Sequence, residues 1–470
     1  MSGSGGGGPR NGAPSRGGHR DRVSVSPARA AAFAVLRRLR TTRAHLDDSL
    51  ASLPEFARLE PRDRALANEL VIGTVKRRGS LDAVLSTVVT APLARTDPDV
   101  RDALRLAAFQ LLFLDRVPAY AVVDDAVTMV RGRGAKTSGF VNAVLRRIAG
   151  EGGETLARLS EGDGVRAWSV RLSCPQWLVR LVRRDLGDEA AARFLAAADE
   201  PPERCLRVNR LRGGREEARA ALVEAGYTTA GVPGLPDALL YDGPPLETSE
   251  PFRAGLVTPQ SRGSQVAGHV AAGGAARPGA AVLDLCAAPG TKTTQLLALL
   301  PESTLTAVEV DPQRAEALRQ NLTRLGAERA SVVCGDALDL PPSWRAAFDA
   351  VLLDAPCSGL GTLGSRADLR WRRQAPDVPR LAALQAGLLE SAAAAVRPGG
   401  VLTYAVCTVT RAETLDVVGA LTRTGRWEAD DLGKEWPALA HPAAGGYLLA
   451  LPPDAGSAGF FIARLRRAAE

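Results

Sequence analysis

Aromatic side chains are scarce in this chain: Phe, Trp and Tyr make up 4% of its 470 residues, and only two methionines occur. With 46% hydrophobic content, its cores must rest on Ala, Leu and Val. Six cysteines stand at 174, 205, 286, 334, 357 and 407, none in a C-x-x-C pair, so neither zinc nor another metal is expected. No apolar run is long enough to span a bilayer, and no secretory signal is visible. These absences point away from a membrane and toward a reducing cytoplasm in which thiols stay free. What is in excess is positive charge, net +7. That suits a polyanionic partner, although an arginine-rich soluble enzyme would show the same balance.

The chain is organised around Leu283 to Thr294. Ala280 to Leu285 reads as a buried strand and Thr291 to Leu300 as a helix. Cys286, Ala287, Ala288, Pro289 and Gly290 form the tight turn between them. In a doubly wound fold such a turn lies at the carboxyl edge of the sheet, where unpaired helix N–H groups face a ligand. The turn has neither the G-x-x-x-x-G-K-[ST] nor the full G-x-G-x-x-G spacing, so a nucleoside cofactor of another kind has to be considered.

Residues 1–26, rich in Gly, Ser and Arg, read as an unfolded leader. From Pro27, with Ser26 as cap, the pattern turns helical: Ala32, Val35, Leu36 and Leu39 share one face. Further helices are predicted near 62–76, 80–89, 98–115, 119–132 and 137–149, so 27–150 reads as an all-α domain. Basic clusters recur in it at Lys76-Arg77-Arg78, Arg131 with Arg133, and Arg146-Arg147, which favours RNA over a merely solvated face. Residues 151–165 read as a linker and 166–255 as a small α+β module. From 256 to 470 strands and helices alternate, with strands predicted at 281–286, 304–310, 330–334, 349–354 and 400–406. That alternation argues for a parallel α/β sheet, closed antiparallel by two last strands near 446–451 and 459–465.

Glu309 ends the second of these strands, where an acid accepts both hydroxyls of a ribose. Asp311 caps the following helix and Asp336 is placed for an adenine amino group. The fourth and fifth strands end in Asp354-Ala355-Pro356-Cys357 and in Cys407-Thr408, putting a carboxylate and two thiols on one sheet edge. Cys174, Cys205 and Cys334 read as small buried hydrophobes.

Two resemblances follow from these residues. Asp63-Arg64-Ala65, Glu69 to Thr74, Gln110 to Phe113 and Phe140 to Arg147 resemble the NusB-type RNA-binding helical domain. Asp354 to Gly359, Tyr404 to Thr408 with Glu413, and Cys286 to Lys292 resemble the RNA (cytosine-C5) methyltransferases that use S-adenosylmethionine. Ser173 to Leu178, Leu206 to Asn209 and Gly459-Phe460-Phe461 fit the same family, in its RsmB-type ribosomal RNA branch.

The resemblance implies a multidomain protein: a NusB-like all-α domain, an α+β connector and a Rossmann-like methyltransferase domain. It implies that Cys286 to Lys292, Glu309, Arg314, Asp336 and Asp354 hold the cofactor. It makes Cys407 the nucleophile toward cytosine C6, Asp354 the holder of the N3 edge, Cys357 the helper in release and Lys292 an orienting group. Ribosomal RNA is the implied partner of a monomer. The sequence departs from the family at Thr291, usually Gly, and at Gly364-Ser365-Arg366-Ala367, usually Arg-Arg-His-Pro in a loop expected to contact RNA. A non-catalytic RNA scaffold and a methyltransferase for transfer RNA or protein remain the rival classes.

Overall fold

In the computed structural model the described residues are 24–469 except 43–44, 47–48, 51–52, 276, 455 and 457, so the leader lies outside them up to residue 23. The front helices follow the apolar spacing: Pro27–Thr41, Pro61–Lys76, Arg78–Val88, Pro98–Phe113, Ala119–Met129 and Ala135–Leu159. Proline opens three of them at a position that needs no N–H donor. Ser26 stands at the first N-cap, but its hydroxyl donates to Asp125 (2.9 Å) instead of capping the helix. Gly73 lets two helices touch, since a Cβ there would lie 2.0 Å from the Phe109 ring. The linker expected over 151–165 is mostly helix. The last helix runs through Gly152, which lies against Leu112, because Leu156 and Leu159 continue its apolar face onto the front core.

The middle module is a four-stranded antiparallel sheet of β1 (Cys205–Val208), β2 (Thr228–Val232), β3 (Leu235–Asp242) and β4 (Val257–Pro259), in the order β2-β3-β1-β4. Helices Gln176–Leu186, Asp188–Ala197 and Arg215–Glu224 accompany it. The large sheet holds β5 (Ala281–Leu285), β6 (Thr304–Glu309), β7 (Ser331–Cys334), β8 (Phe348–Asp354), β9 (Val396–Val406), β10 (Trp427–Ala429), β11 (Leu448–Ala450) and β12 (Phe460–Arg467). Its order is β10-β12-β9-β8-β5-β6-β7, with β11 also on β12. β5 to β9 pair in parallel, while β12 pairs antiparallel with β9, β10 and β11. The strand order reverses between β5 and β8, so a ligand crevice opens at their carboxyl tips. No helix among the described residues is long and apolar enough to cross a membrane.

One segment of the large domain leaves it. The loop after β8 carries Ala367 into the front domain's core, and the Trp371 indole donates to the Val75 carbonyl (2.7 Å) beneath the Arg78 guanidinium. Arg370, fully buried, donates to Ala198 O and Asp199 (both 3.1 Å) and to Lys76 O and Ser173 O (both 3.4 Å). Of the loop expected to meet RNA, Ala367 is packed on protein, because it and Trp371 are apolar enough to join the front core, while Ser365 and Arg366 stay exposed. The Lys76-Arg77-Arg78 cluster belongs to this seam too: Lys76 donates to Asp199 O and Glu200 O (both 3.0 Å), and Arg77 pairs with Asp199 (2.9 Å). Arg131, Arg133, Arg146 and Arg147 are all exposed; Arg133 pairs with Asp97 and Asp99, Arg147 with Glu151 (3.6 Å), and Arg146 donates to Asn142 (3.2 Å).

Candidate active site

The turn after β5 takes its shape from two left-handed residues, Cys286 (φ 60°) and Gly290 (φ 96°). Thr291 is the first residue of the helix Thr291–Leu299 and needs no positive φ, so the side chain it carries in place of glycine causes no strain. Arg314 donates to Ala288 O (3.1 Å) and Asn321 to Pro289 O (2.7 Å), which pins the turn from the next helix. Fully buried Arg207 of β1 props it from below, donating to Gln260 (2.7 Å), Thr294 Oγ1 (2.7 Å) and Thr291 O (3.2 Å). Burial pushes this guanidinium down to about 10.

Glu309 ends β6 as expected and is buried. Its Oε1 accepts from Asp311 N (3.2 Å) and pairs with Arg314 (3.4 Å), while the buried Oε2 has no hydrogen-bond partner. Asp311 caps its helix by accepting from Gln313 N and Arg314 N. Asp336 is exposed beyond β7, with Oδ1 held by Leu338 N (2.9 Å). Cys334, expected to be buried, is exposed, because β7 is the edge strand of the sheet. Cys174 and Cys205 are buried as expected.

Asp284 was legible only as a strand residue. It lies fully buried under the turn, accepts from Thr293 Oγ1 (2.7 Å) and leaves Oδ1 without a partner. Burial, and then the nearby Asp354 charge, push its carboxyl up to about 7. Burial likewise pushes the Cys286 thiol up to about 12, out of nucleophilic range at neutral pH.

Across the crevice, Lys292 Nζ lies 2.6 Å from Asp354 Oδ2 at the β8 tip and 5.4 Å from the centre of the Phe460 ring. Cys357 and Cys407 come together with Sγ–Sγ 3.4 Å. The hydrogen bond shared with Cys357 holds the Cys407 thiol below its ordinary value; burial and Asp354 oppose this, and Lys292 and Arg366 assist it. That same bond, then burial, the Cys407 charge and lastly the Glu413 charge push Cys357 well up. The closing strand fits tightly behind them: a Cβ on Gly361 would lie 2.1 Å from Gly459 O, and Gly361 N donates to Cys407 O (3.0 Å).

Lys292, Asp354, Cys357 and Cys407 thus form one cluster. The Cys286–Gly290 turn, Glu309 and Arg314 form the opposite wall, and Asp336 is exposed at the next strand tip, where the N–H of the preceding Gly335 donates to Glu309 O (3.1 Å). Among the described residues no His, Cys, Asp and Glu group is arranged to hold a metal ion. Sequence reasoning did not reach Asp284, Arg207 or the bonding of Glu413, whose only signal was its place in the motif after Cys407.

The model for 16S rRNA methyltransferase RsmB/F matches residues 275–466, that for the NusB family 26–150, and that for the RsmF/B-like ferredoxin-like domain 174–246. A ribosomal RNA small subunit methyltransferase B from Xanthomonas campestris pv. campestris is 36% identical over 89% of this chain and 92% of its own length. A probable ribosomal RNA small subunit methyltransferase B from Synechocystis is 31% identical over 94% of this chain and 99% of its own. The crystal structure of PH0851 superposes with TM-score 0.79 at 26% identity, covering 95% of this chain and 100% of that one. A methyltransferase homologue from Pyrococcus horikoshii superposes with TM-score 0.56 at 26% identity, over 65% of this chain and 100% of that one.

Proposed function

The chain belongs to the RsmB/F family of 16S ribosomal RNA methyltransferases, and we propose that it moves a methyl group from S-adenosylmethionine to C5 of a cytosine in small-subunit ribosomal RNA. It acts as a monomer in the cytoplasm. The observation that carries the reading is the pair of thiols 3.4 Å apart beside the Lys292–Asp354 pair, on the edge of the sheet that faces the Glu309 wall.

The residues present fit the cofactor. Glu309 Oε2 is a buried acceptor without a partner, which suits a ribose hydroxyl. Arg314 braces the turn, whose Gly290 lets the next helix pack close (a Cβ there would lie 2.6 Å from Leu318), and Asp336 offers an acceptor to the adenine end. When bound, S-adenosylmethionine supplies an electrophilic methyl group on a sulfonium.

Cytosine C5 is a weak nucleophile, so the base must be activated. Cys407 is the thiolate that adds to C6 and turns the ring enamine-like, so that C5 attacks. Asp354, held by Lys292, faces the N3 edge and stabilises the adduct. Cys357 serves the release: a water takes the C5 proton, the C5–H electron pair restores the C5–C6 double bond, and the sulfur–C6 bond breaks to return the thiolate to Cys407, which the Cys357 S–H then stabilises. The base enters single-stranded or flipped. A scaffold without catalysis gives no use for the paired thiols. The test is methylation of small-subunit ribosomal RNA and transfer RNA with labelled cofactor, followed by bisulfite mapping. 5-Methylcytosine confined to the ribosomal RNA supports the reading, and methylation of transfer RNA alone overturns it.

A further inference from the structure

One buried ion has no task in that scheme. Glu413, in the turn after β9, is fully buried, and among the described residues no cation pairs with it. Five polar groups donate to it instead: Ser358 N (2.7 Å), Ser358 Oγ (2.6 Å), Gln385 Nε2 (3.1 Å), Thr408 Oγ1 (3.2 Å) and Thr410 Oγ1 (2.9 Å). Burying a carboxylate without a counter-ion is unfavourable even when it is hydrogen-bonded, so stability is a poor reason for its presence.

We propose that Glu413 is a positioning residue: it clamps the Cys357 and Cys407 turns together and steers the proton shared by the two thiols onto Cys357, leaving Cys407 as the thiolate. The inference rests on the reading of Cys407 as nucleophile. Its clamp is visible in the bonding. Ser358 directly follows Cys357 and Thr408 directly follows Cys407; their hydroxyls lie 2.9 Å apart, and both reach the one carboxylate. A single side chain thereby fixes both turns, and with them the 3.4 Å between the sulfurs.

Its steering follows from which charges face which sulfur. Cys407 faces Lys292, Arg366 and Asp354, and the last is already paired with Lys292 at 2.6 Å. Cys357 lies beside the Glu413 carboxylate, whose Oε1 accepts from the N–H of the next residue, Ser358 (2.7 Å). Arg373 also lies on that side, but its guanidinium is spent on main-chain oxygens, Ser358 O (2.8 Å) and Cys357 O (3.3 Å). Tyr404 donates its hydroxyl to Glu413 O (2.7 Å) and adds no charge. A thiolate is repelled on the Glu413 side, whereas on the Cys407 side Lys292 and Asp354 offset each other and Arg366 adds positive charge, so the proton rests on Cys357.

The test needs neither RNA nor cofactor. The full chain is pulsed with iodoacetamide between about pH 6 and 10, and initial modification of each cysteine is read by peptide mass spectrometry. Glu413→Gln keeps the shape. Its amide oxygen can serve Ser358 N and Gln385, and its NH2 faces three hydroxyls that can rotate to accept. In the unsubstituted protein Cys407 titrates below Cys357. In Glu413→Gln the Cys407:Cys357 reactivity ratio near pH 7 falls about tenfold, the equivalent of one pKa unit. Glu413→Asp, which keeps the charge, retains the preference for Cys407. An unchanged ratio in a folded Glu413→Gln overturns the proposal, as does an equal loss in Glu413→Asp, which would make packing the cause. Faster, lower-pH reaction at Cys357 in the unsubstituted protein would instead overturn the assignment of the nucleophile.

Discussion

Glu309→Ala isolates the cofactor wall from the rest of the site. In the folded chain one carboxylate oxygen is occupied by Asp311 N and Arg314, and the other is buried with nothing to accept from. A ribose hydroxyl donating to that oxygen forms a hydrogen bond to a charged group, worth about 1.5–3 kcal/mol net. Its loss corresponds to roughly a 10- to 150-fold rise in the Kd for S-adenosylmethionine. The fold should tolerate the change, because Arg314 is 58% exposed and water replaces its partner. Titration calorimetry with the cofactor, alongside thermal melting of the same preparation, separates binding from stability. Glu309→Gln keeps an oxygen for Asp311 N but loses the charge, and is expected to fall between the two. A folded Glu309→Ala whose Kd stays within about twofold of the parent refutes the ribose assignment.

Three further outcomes are expected. Cys407→Ala abolishes methylation and leaves no covalent RNA adduct, whereas Cys357→Ala accumulates an adduct that survives denaturing electrophoresis; the opposite pattern reverses the two roles. Arg146→Ser with Arg147→Ser flattens the dependence of RNA affinity on salt by about 0.7–0.9 in log–log slope for every phosphate that the pair neutralises, and identical slopes argue against an RNA face there. Asp284 holds its proton up to about pH 7, against an ordinary value of 3.8, so the folded state binds the extra proton and stability falls as pH rises through that window. Three pKa units correspond to roughly 4 kcal/mol, so Asp284→Asn gains stability near pH 8 and little near pH 4; parallel urea melts at both pH values would refute this.

The large sheet was legible because its parallel strands are short apolar runs that end in polar turns. For the same reason the two thiols were found at neighbouring tips. Contacts that join distant parts of the chain were not legible. Nothing near Arg370 announces that its acceptors come from residues 76, 173, 198 and 199, nor near Trp371 that it belongs to the core of another domain. Cys334 looked apolar in a strand pattern, but periodicity does not tell an edge strand from a central one. Thr291 departs from the family's usual Gly at no conformational cost, because Cys286 and Gly290 carry the left-handed backbone and Thr291 opens the helix. β10, three residues long, carries too little pattern to be noticed.

The loop from Cys357 to Arg373 returns to the thiols it left, and on the way it is moored in the front domain by Trp371 and a fully buried Arg370. Swinging the front domain away would take Lys76 O from the buried Arg370 and Val75 O from the Trp371 indole and would bare Ala367, so the junction resists serving as a joint. The molecule is in this sense a gauge rather than a grapple. On the proposed reading, an RNA gripped by the front helices would meet the thiols at a fixed span, so distance from that grip would help select the nucleotide.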